Sequence, residues 1–375
     1  MMNEFFNFLL HNWDLSLRYN LHIKNLREIM NEHVISSYDS EILISRAEKH
    51  LTDLLREAFH HTDEETAVVV YDTACILSNI LAQAYKRCLS SAIFVDFNQL
   101  PPKEILEILG KLHPSDLVVL IQSTHFRLNA FRMRIELFKR KIKVIEHPHL
   151  SRMSDDEVPY YIDSLAYDSS YYRGVGHSLK SKIDTATSGV LDSGGEFLVY
   201  GSAFESAKLN IGDYSGMTNV GGQFPLGEVF TEAQDFKAVN GRVRIFIFGD
   251  TTYKVNRPST PITLIIKQGQ VIDCENSTPE FDQLLSIIRT DEGVIWVREL
   301  GFGLNRAFTK TRTVSDIGTY ERMCGVHLSL GAKHGTYAKP GFKRGDGKYH
   351  VDVFADIHSF TLNDEVIYRD GAWVI

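Results

Sequence analysis

Apolar residues recur at helical spacing near the start of the chain. The segments LREIMNEHV (26–34) and EILISRAEKHLTDLLREAF (41–59) place apolar side chains three and four positions apart, with charged residues between them. This period puts the apolar side chains on one face of a helix. We therefore predict a helical lead-in over residues 1–64.

From residue 67 the pattern changes to short apolar runs that alternate with amphipathic segments. The runs AVVVYD, SAIFVDFN, DLVVLIQS and IKVIEHP predict strands, and TACILSNILAQAYKRC, PPKEILEILGKL and RLNAFRMRIELFKRK predict helices. Thr73 is a possible cap of the first of these helices, and Pro102 suits the start of the second. Such alternation predicts a parallel sheet covered on both faces. We predict a Rossmann-like α/β domain over 65–185, in which the polar, tyrosine-rich residues 151–185 form a connector or short helices.

Beyond residue 186 the chain consists mostly of strand-like runs separated by Gly, Asp and Asn. These runs are GGEFLVYG, GRVRIFIFG, ITLIIKQGQVIDC, GVIWVREL, VHLSLG, YHVDVFAD and EVIYRDGAWVI, and EFDQLLSII is the one clear helix among them. We predict a β-rich α+β domain over 186–375. The fold class is therefore α/β, with a parallel sheet in the first part and a β-rich second domain.

Composition narrows the function classes. The chain has 375 residues, of which 43% are hydrophobic and 23% charged, as in a globular protein. A formal net charge of -8 gives no electrostatic reason to expect nucleic acid, and no GxGxxG or GxxxxGK[ST] loop predicts a nucleotide. No apolar run approaches the roughly 20 residues of a membrane span. The amino terminus lacks a basic signal region, so we predict a cytoplasmic protein with no membrane partner.

The stretch YHVDVF carries the first candidate chemistry. Strand side chains alternate, so His350 and Asp352 share one face and can both reach a single divalent cation. A His-x-Asp triplet alone is weak evidence, and it occurs again at His61 and Asp63. The context must therefore decide between a metal site and satisfied core polar groups.

Three further ionisable residues lie in β segments that otherwise look buried: Glu228 in FPLGEVFTEA, Glu299 in VIWVREL and His327 in VHLSLG. Each alone is compatible with a satisfied polar group in the core. Buried carboxylates are uncommon unless they are paired or metal-bound, and several in one domain favour a metal site. Gly301 and Gly303 follow Glu299, and we expect them to let the chain turn there.

The second half resembles the aminopeptidase T and aminopeptidase S family of dinuclear metallopeptidases. The likeness rests on four blocks in the family's order, GQFPLGEVFTEA, RELGFGLN, VHLSLG and YHVDVF. Weaker likeness extends over IDTATSGVLDSGGEF, ITLIIKQGQVID and EVIYRDGAWVI, so that the resemblance covers roughly residues 180–375. The first half is similar only at the level of the fold.

This resemblance implies a site and an activity. The metal ligands would be Glu228, Glu299, His327, His350 and Asp352, with one carboxylate bridging two ions of zinc, cobalt or manganese. A bridging water would attack the peptide carbonyl and remove amino-terminal residues from a peptide or small-molecule substrate. The resemblance also implies a homodimer.

The chain departs from the family pattern at one ligand, which leaves the number of metal ions open. Five residues before His327, where the family has a further carboxylate, stands Arg322, and Glu321 lies one place earlier. Glu321 or Glu232 is then a candidate extra ligand or general base. Tyr337 is the nearest candidate for stabilising the oxyanion.

Two other functions remain open from the sequence. The same scaffold resembles that of a ring-opening dioxygenase of dihydroxypyridines, in which His327, His350 and Asp352 would hold one Fe(II) as a facial triad. A non-catalytic homologue that retains the pocket for a partner or a regulatory metal is the third reading. The dinuclear aminopeptidase is the function that we predict.

Overall fold

The first helix among the described residues of the computed structural model carries the apolar stripe that the sequence predicts. The structure describes residues 40–128, 132–337, 339, 342 and 347–375, so the segment LREIMNEHV lies outside the described residues. Helix α1 covers residues 40–57. Its residues Ala47, Leu51 and Leu54 are almost completely buried in the main core. These residues are three and four positions apart, which is the spacing from which we predicted one apolar helix face.

The four predicted strands of the first half form a parallel sheet with a fifth strand from later in the chain. Their order is β2-β1-β3-β4-β8 and every pair is parallel. Central strand β3 is buried along its whole length, as its continuous apolar run predicts for a strand covered on both faces. The bounds are β1 Ala67–Tyr71, β2 Ile93–Asp96, β3 Leu117–Ile121, β4 Lys143–His147 and β8 Gly221–Gln223.

The crossover helices are α2 (Ile76–Cys88), α3 (Pro102–Gly110) and α4 (Met133–Lys139). Pro102 is the first residue of α3, as predicted, because its missing N–H has no partner to lose there. Thr73 does not cap α2. The cap is Cys75, whose sulfur accepts a hydrogen bond from the Ser78 amide, so the helix starts two residues later than its polar flank suggests.

Residues 151–185 hold a longer helix than the predicted connector. After short 3-10 turns at Leu150–Arg152 and Asp155–Glu157 come α5 (Val158–Ser164) and the 17-residue α6 (Ser169–Thr185). The side chain of Asp168 caps α6 at the Tyr171 amide. Tyr172, Leu179 and Ile183 lie buried on one face of α6, so tyrosine serves here as an apolar residue of a helical stripe.

The second half is a large, curled antiparallel sheet, as its strand-like runs predict. Its main path is β19-β18-β17-β5-β6-β10-β16-β15-β14-β9-β7. Off this path, β11 and β12 pair with β10, and β13 pairs with β12. The predicted helix is α7 (Pro279–Glu292), capped by Thr278, and α8 (Ile317–Tyr320) is an additional short helix. The strands are β5 Gly189–Asp192, β6 Phe197–Tyr200, β7 Lys208–Asn210, β9 Glu228–Glu232, β10 Val239–Gly249, β11 Val255–Asn256, β12 Ile262–Lys267, β13 Gln270–Glu275, β14 Val297–Gly303, β15 Gly325–Leu330, β16 Val351–Ala355, β17 Ser359–Leu362, β18 Glu365–Arg369 and β19 Ala372–Trp373.

Strand β8 connects the two sheets. It pairs in parallel with β4, and a connection of four residues then leads into β9 of the antiparallel sheet. Gly221 approaches β4 so closely that a Cβ atom would lie 1.9 Å from the Val144 carbonyl oxygen, at a φ of +102°. The carboxyl ends of β4 and β8 therefore lie next to the start of β9. No helix in the described part of the chain is long and apolar enough to cross a membrane.

Candidate metal centre

Four adjacent strands of the antiparallel sheet each bring one of the predicted metal ligands to the same place. Glu228 opens β9, Glu299 lies in β14, His327 in β15 and Asp352 in β16. His350 comes directly before β16. The order β9-β14-β15-β16 makes these strands consecutive neighbours, so residues separated by more than a hundred positions meet across the sheet.

Glycine at position 301 makes room for the imidazole of His327. The register pairs Gly301 with His327, and a Cβ atom on Gly301 would lie 2.0 Å from His327 Nε2. Strand β14 continues through Gly303, so the turn that we expected after Glu299 does not occur. Both glycines instead permit close approach: a Cβ on Gly303 would lie 1.8 Å from the Met323 carbonyl oxygen.

The Gly301→Ala variant should lose metal binding and stability together. The added methyl group must displace the His327 ring, and such overpacking costs about 1–3 kcal/mol. The measurement is urea unfolding and metal content of the purified variant. Gly174→Ala is the control, because a Cβ at Gly174 meets no heavy atom within 4 Å. An unchanged metal content in Gly301→Ala would contradict the position given to the His327 ring.

The five predicted ligands form two groups that share Glu299. One group is Glu228, Glu299 and His327, the other is Glu299, His350 and Asp352, and in each the ligand atoms lie within 4.8 Å of one another. His327 Nε2 is 3.5 Å from Glu228 Oε1 and 3.5 Å from Glu299 Oε1. His350 Nε2 is 3.1 Å from Asp352 Oδ1 and 3.9 Å from Glu299 Oε1.

These separations suit ligand atoms that surround a cation. Bonds of about 2.0–2.2 Å to a tetrahedral zinc ion place neighbouring ligand atoms about 3.4 Å apart. His327 Nε2 and Asp352 Oδ1 are both buried and lack a hydrogen-bond partner within the described residues. Buried polar atoms without a partner are costly, and one ion in each ligand group would satisfy them. The residues therefore fit a divalent metal centre.

The charges around the site also suit a divalent cation. Burial raises the pKa of Glu228, and the nearby Glu299 acts in the same direction. Burial by itself would lower the pKa of both imidazoles, but the surrounding carboxylates raise the pKa of His327 to about 9 and of His350 to about 10. Protons on these rings compensate for the carboxylates. A divalent cation would replace those protons on binding.

Glu299 stays ionised at the centre of the cluster. Burial raises its pKa, but its interactions with His327 and His334 outweigh this, and the net shift is downward. Its Oε1 atom faces both His327 and His350. A carboxylate in such a position could bridge two cations.

Arg322 occupies the position at which the resemblance leads one to expect a carboxylate. Its buried guanidinium lies 3.0 Å from Glu228 Oε2 and also contacts Glu321, while its Nε donates to the Pro225 carbonyl. The pKa of Glu321 rises to about 8, mainly by burial, with the negative charges of Glu228 and Asp352 adding to the shift. Burial therefore favours the protonated form of Glu321, which lies beside Arg322 at the edge of the site.

His334 is part of the centre although the sequence did not single it out. Its Nε2 lies 2.6 Å from Glu299 Oε2, and its Nδ1 lies 3.2 Å from Glu232 Oε1. Glu232 in turn pairs with the buried Arg298 at 2.7 Å. This chain of contacts holds the outer oxygen of Glu299, so that the inner oxygen faces the two ligand groups. The sequence offers little evidence for this role, because His334 lies in GAKHGTY, a glycine-containing segment with no strand pattern.

The three predicted catalytic residues lie at different places. Glu321 lines the cavity next to His350 and Asp352. Glu232 is completely buried behind His334 and does not reach that cavity. Tyr337 stacks on His334, but its hydroxyl donates to the carbonyl oxygens of Ser206 and Phe230 at 2.9 and 3.2 Å.

A cavity of about 340 Å³ opens beside the second ligand group. His350, Asp352 and Glu321 line one side of it, and residues after β3, β4 and β8 of the parallel sheet line the other. Its volume is that of a small-molecule site. The cavity lies between the two sheets, at the position where the carboxyl ends of the parallel strands face the metal centre.

Comparisons with known proteins identify the fold. No model of a known protein family matches the chain, and no curated protein matches its sequence. Among solved structures, wild-type AmpT from Thermus thermophilus is similar with a TM-score of 0.56 and 13% sequence identity. The alignment covers 88% of this chain and 99% of that one. At this identity the similarity shows a shared fold across nearly the whole of both chains.

Proposed function

We propose that this protein is a metallo-aminopeptidase that hydrolyses amino-terminal peptide bonds with two divalent cations. The observation that carries the proposal is the pair of three-ligand groups that share Glu299. The similar fold of AmpT, an aminopeptidase T, supports it independently.

The ligand residues define what each cation would do. Glu228 and His327 would hold one ion, His350 and Asp352 the other, and Glu299 would bridge them. Two such ions acidify a water at neutral pH and polarise the substrate carbonyl. His334 contacts the outer oxygen of Glu299 at 2.6 Å and would leave the inner oxygen free for the two ions.

Glu321 is the residue that we assign to proton transfer. It lines the cavity beside the second group, and its raised pKa of about 8 suits a group that takes up a proton and returns it near neutral pH. Arg322 contacts both Glu321 and Glu228, so its positive charge compensates these two neighbouring carboxylates.

The geometry favours two cations over the single iron of a dioxygenase. A mononuclear facial triad would need His327, His350 and Asp352 around one point. Among the described residues these three do not form one group: His327 belongs to the first and the other two to the second. Glu228 and Glu299 would also have no role in a three-ligand iron site.

Metal analysis combined with an activity assay tests the proposal. Protein purified without chelator, under nitrogen, should contain two zinc, cobalt or manganese ions per chain and should hydrolyse leucinamide but not N-acetylleucinamide. The acetylated compound is the matched control, because it lacks only the free amino group. One iron per chain with oxygen uptake would favour the dioxygenase, and no metal after repletion would reject both enzymes.

A further inference from the structure

The cavity beside the metal centre has a second wall whose residues have no role in the proposed hydrolysis. It comes from the loops that follow β3 and β4, and its polar side chains are His125, His149 and Arg152. The sequence led us to regard the parallel sheet as structural because it has no phosphate-binding loop. The carboxyl ends of its strands are nevertheless where ligands bind in open α/β sheets.

Hydrogen bonds hold these two loops rigidly to each other. The Leu150 amide donates to the Gln122 carbonyl at 3.0 Å, and the Ser151 amide donates to the Ser123 carbonyl at 3.1 Å. The hydroxyl and amide of Ser123 both donate to the buried carboxylate of Asp72, at 2.8 and 2.9 Å. The wall is therefore positioned before any ligand arrives.

Two imidazoles in this wall have unused hydrogen-bonding capacity. The rings of His125 and His149 lie nearly perpendicular with centroids 4.1 Å apart, and neither ring has a hydrogen-bond partner among the residues that the structure describes. Burial lowers the pKa of His125, and burial together with Arg152 lowers the pKa of His149 to about 4. Both shifts favour the neutral imidazole, which offers one N–H donor.

Arg152 adds a cation with a fixed orientation. One guanidinium nitrogen donates to Asp316 at 2.8 Å, and the group lies 5.0 Å above the ring of Tyr253. The other oxygen of Asp316 accepts hydrogen bonds from the amide and hydroxyl of Thr319. The guanidinium therefore has N–H groups that remain for a ligand, in the geometry that suits a carboxylate.

The opposite wall has the reverse character. Asp250, Asp316, Glu321 and Asp352 are acidic, and all four come from the antiparallel half of the chain. Asp316 is the partner of Arg152, and among the described residues the other three have no contact with it. One side of the cavity thus offers carboxylates and the metal centre, and the other offers donors and a guanidinium. This polarity matches a ligand with an amino group at one end and a carboxylate at the other.

We propose that Arg152, His125 and His149 bind a carboxylate of the substrate, so that the enzyme prefers short peptides with a carboxylate close to the scissile bond. This inference rests on the proposed peptidase function and adds the substrate class to it. The cavity volume of about 340 Å³ suits a dipeptide or tripeptide. The carboxylate comes either from a free carboxyl terminus or from an acidic side chain.

Three leucyl compounds test the preference with metal-loaded, full-length protein. Leucylglycine has a free carboxyl terminus, leucylglycinamide has none, and leucyl-aspartyl amide has a carboxylate only in its side chain. We expect kcat/KM for leucylglycine to exceed that for leucylglycinamide by about ten- to a hundredfold, the effect typical of hydrogen bonds to a charged group. A comparable gain with leucyl-aspartyl amide would identify the side chain as the source. Equal values for all three would overturn the proposal.

Variants of the cavity wall test whether Arg152 and His125 cause the preference for a substrate carboxylate. In Arg152→Gln the ratio of acid to amide hydrolysis should fall by at least about tenfold, the lower end of that range. His125→Phe, which keeps the ring but removes its donors, provides a second variant if the loss of the Asp316 pair unfolds the first. Arg306→Gln is the matched control, because Arg306 also pairs with one aspartate, Asp168, and lies 3.9 Å above a tyrosine ring, outside this cavity. A ratio that stays at the wild-type value in both wall variants would reject the assignment.

A binding measurement tests carboxylate recognition even if the protein is not a peptidase. If none of the compounds is hydrolysed, the peptidase function fails, and calorimetric titration of leucylglycine and leucylglycinamide decides the question of the carboxylate. Tighter binding of the acid, lost in Arg152→Gln, would support recognition by this wall. Equal binding, or no binding, would overturn it.

Discussion

The Glu299→Gln variant is expected to lose both metal ions and, with them, at least about a thousandfold in kcat/KM for peptide hydrolysis. Glu299 is the one residue common to the two ligand groups, so its neutralisation weakens both at once. Metal ions contribute several kcal/mol of transition-state stabilisation, and each 1.4 kcal/mol is about a factor of ten. Metal content by elemental analysis and hydrolysis of leucinamide are the two measurements.

Glutamine retains the shape of Glu299 and its contact with His334, so the fold should persist. The control is Glu157→Gln, because Glu157 is a similarly buried glutamate that accepts hydrogen bonds from Ser315 and lies outside both groups. Retention of two metal ions by Glu299→Gln would show that Glu299 is not a bridge. Retention of one ion would indicate that Glu299 serves a single group.

Much of the site could be anticipated because it lies on strands. Alternation along YHVDVF places His350 and Asp352 together in any strand, and polar residues within otherwise apolar runs are conspicuous at Glu228, Glu299 and His327. The sequence order of these strands says nothing of their order in the sheet. That β9, β14, β15 and β16 are consecutive neighbours follows from long-range pairing, which local patterns do not encode.

Other parts of the site could not be anticipated, because their residues lie in loops or have an ambiguous role. His334 has no periodic context, and its function depends on a contact with Glu299 that only the fold creates. His125 and His149 come from loops of a sheet that showed no ligand-binding motif, and they line the same cavity as His350 and Asp352 only in the folded chain. Gly301 was identified as a turn residue, although what requires glycine there is the neighbouring imidazole.

Replacing Arg322 with methionine should strongly destabilise the metal-free protein. Arg322 is almost completely buried, and it is the cation that pairs with Glu228 and contacts Glu321. Removing one partner of a buried ion pair leaves the other charges uncompensated, at a cost of about 3–5 kcal/mol. Urea unfolding of wild-type and Arg322→Met protein, both stripped with chelator, measures this loss.

The same variant should respond more strongly to metal than the wild type does. With the guanidinium gone, Glu321 and the second oxygen of Glu228 also become available to a cation, so saturating zinc should restore a larger share of the free energy of unfolding in the variant. Arg298→Met is the matched control, because Arg298 is equally buried and pairs with Glu232, which belongs to neither ligand group. It should lose stability without gaining response to zinc. If zinc stabilises Arg322→Met no more than wild type, Arg322 does not compete with metal for Glu228, and the guanidinium and the cation occupy the site side by side.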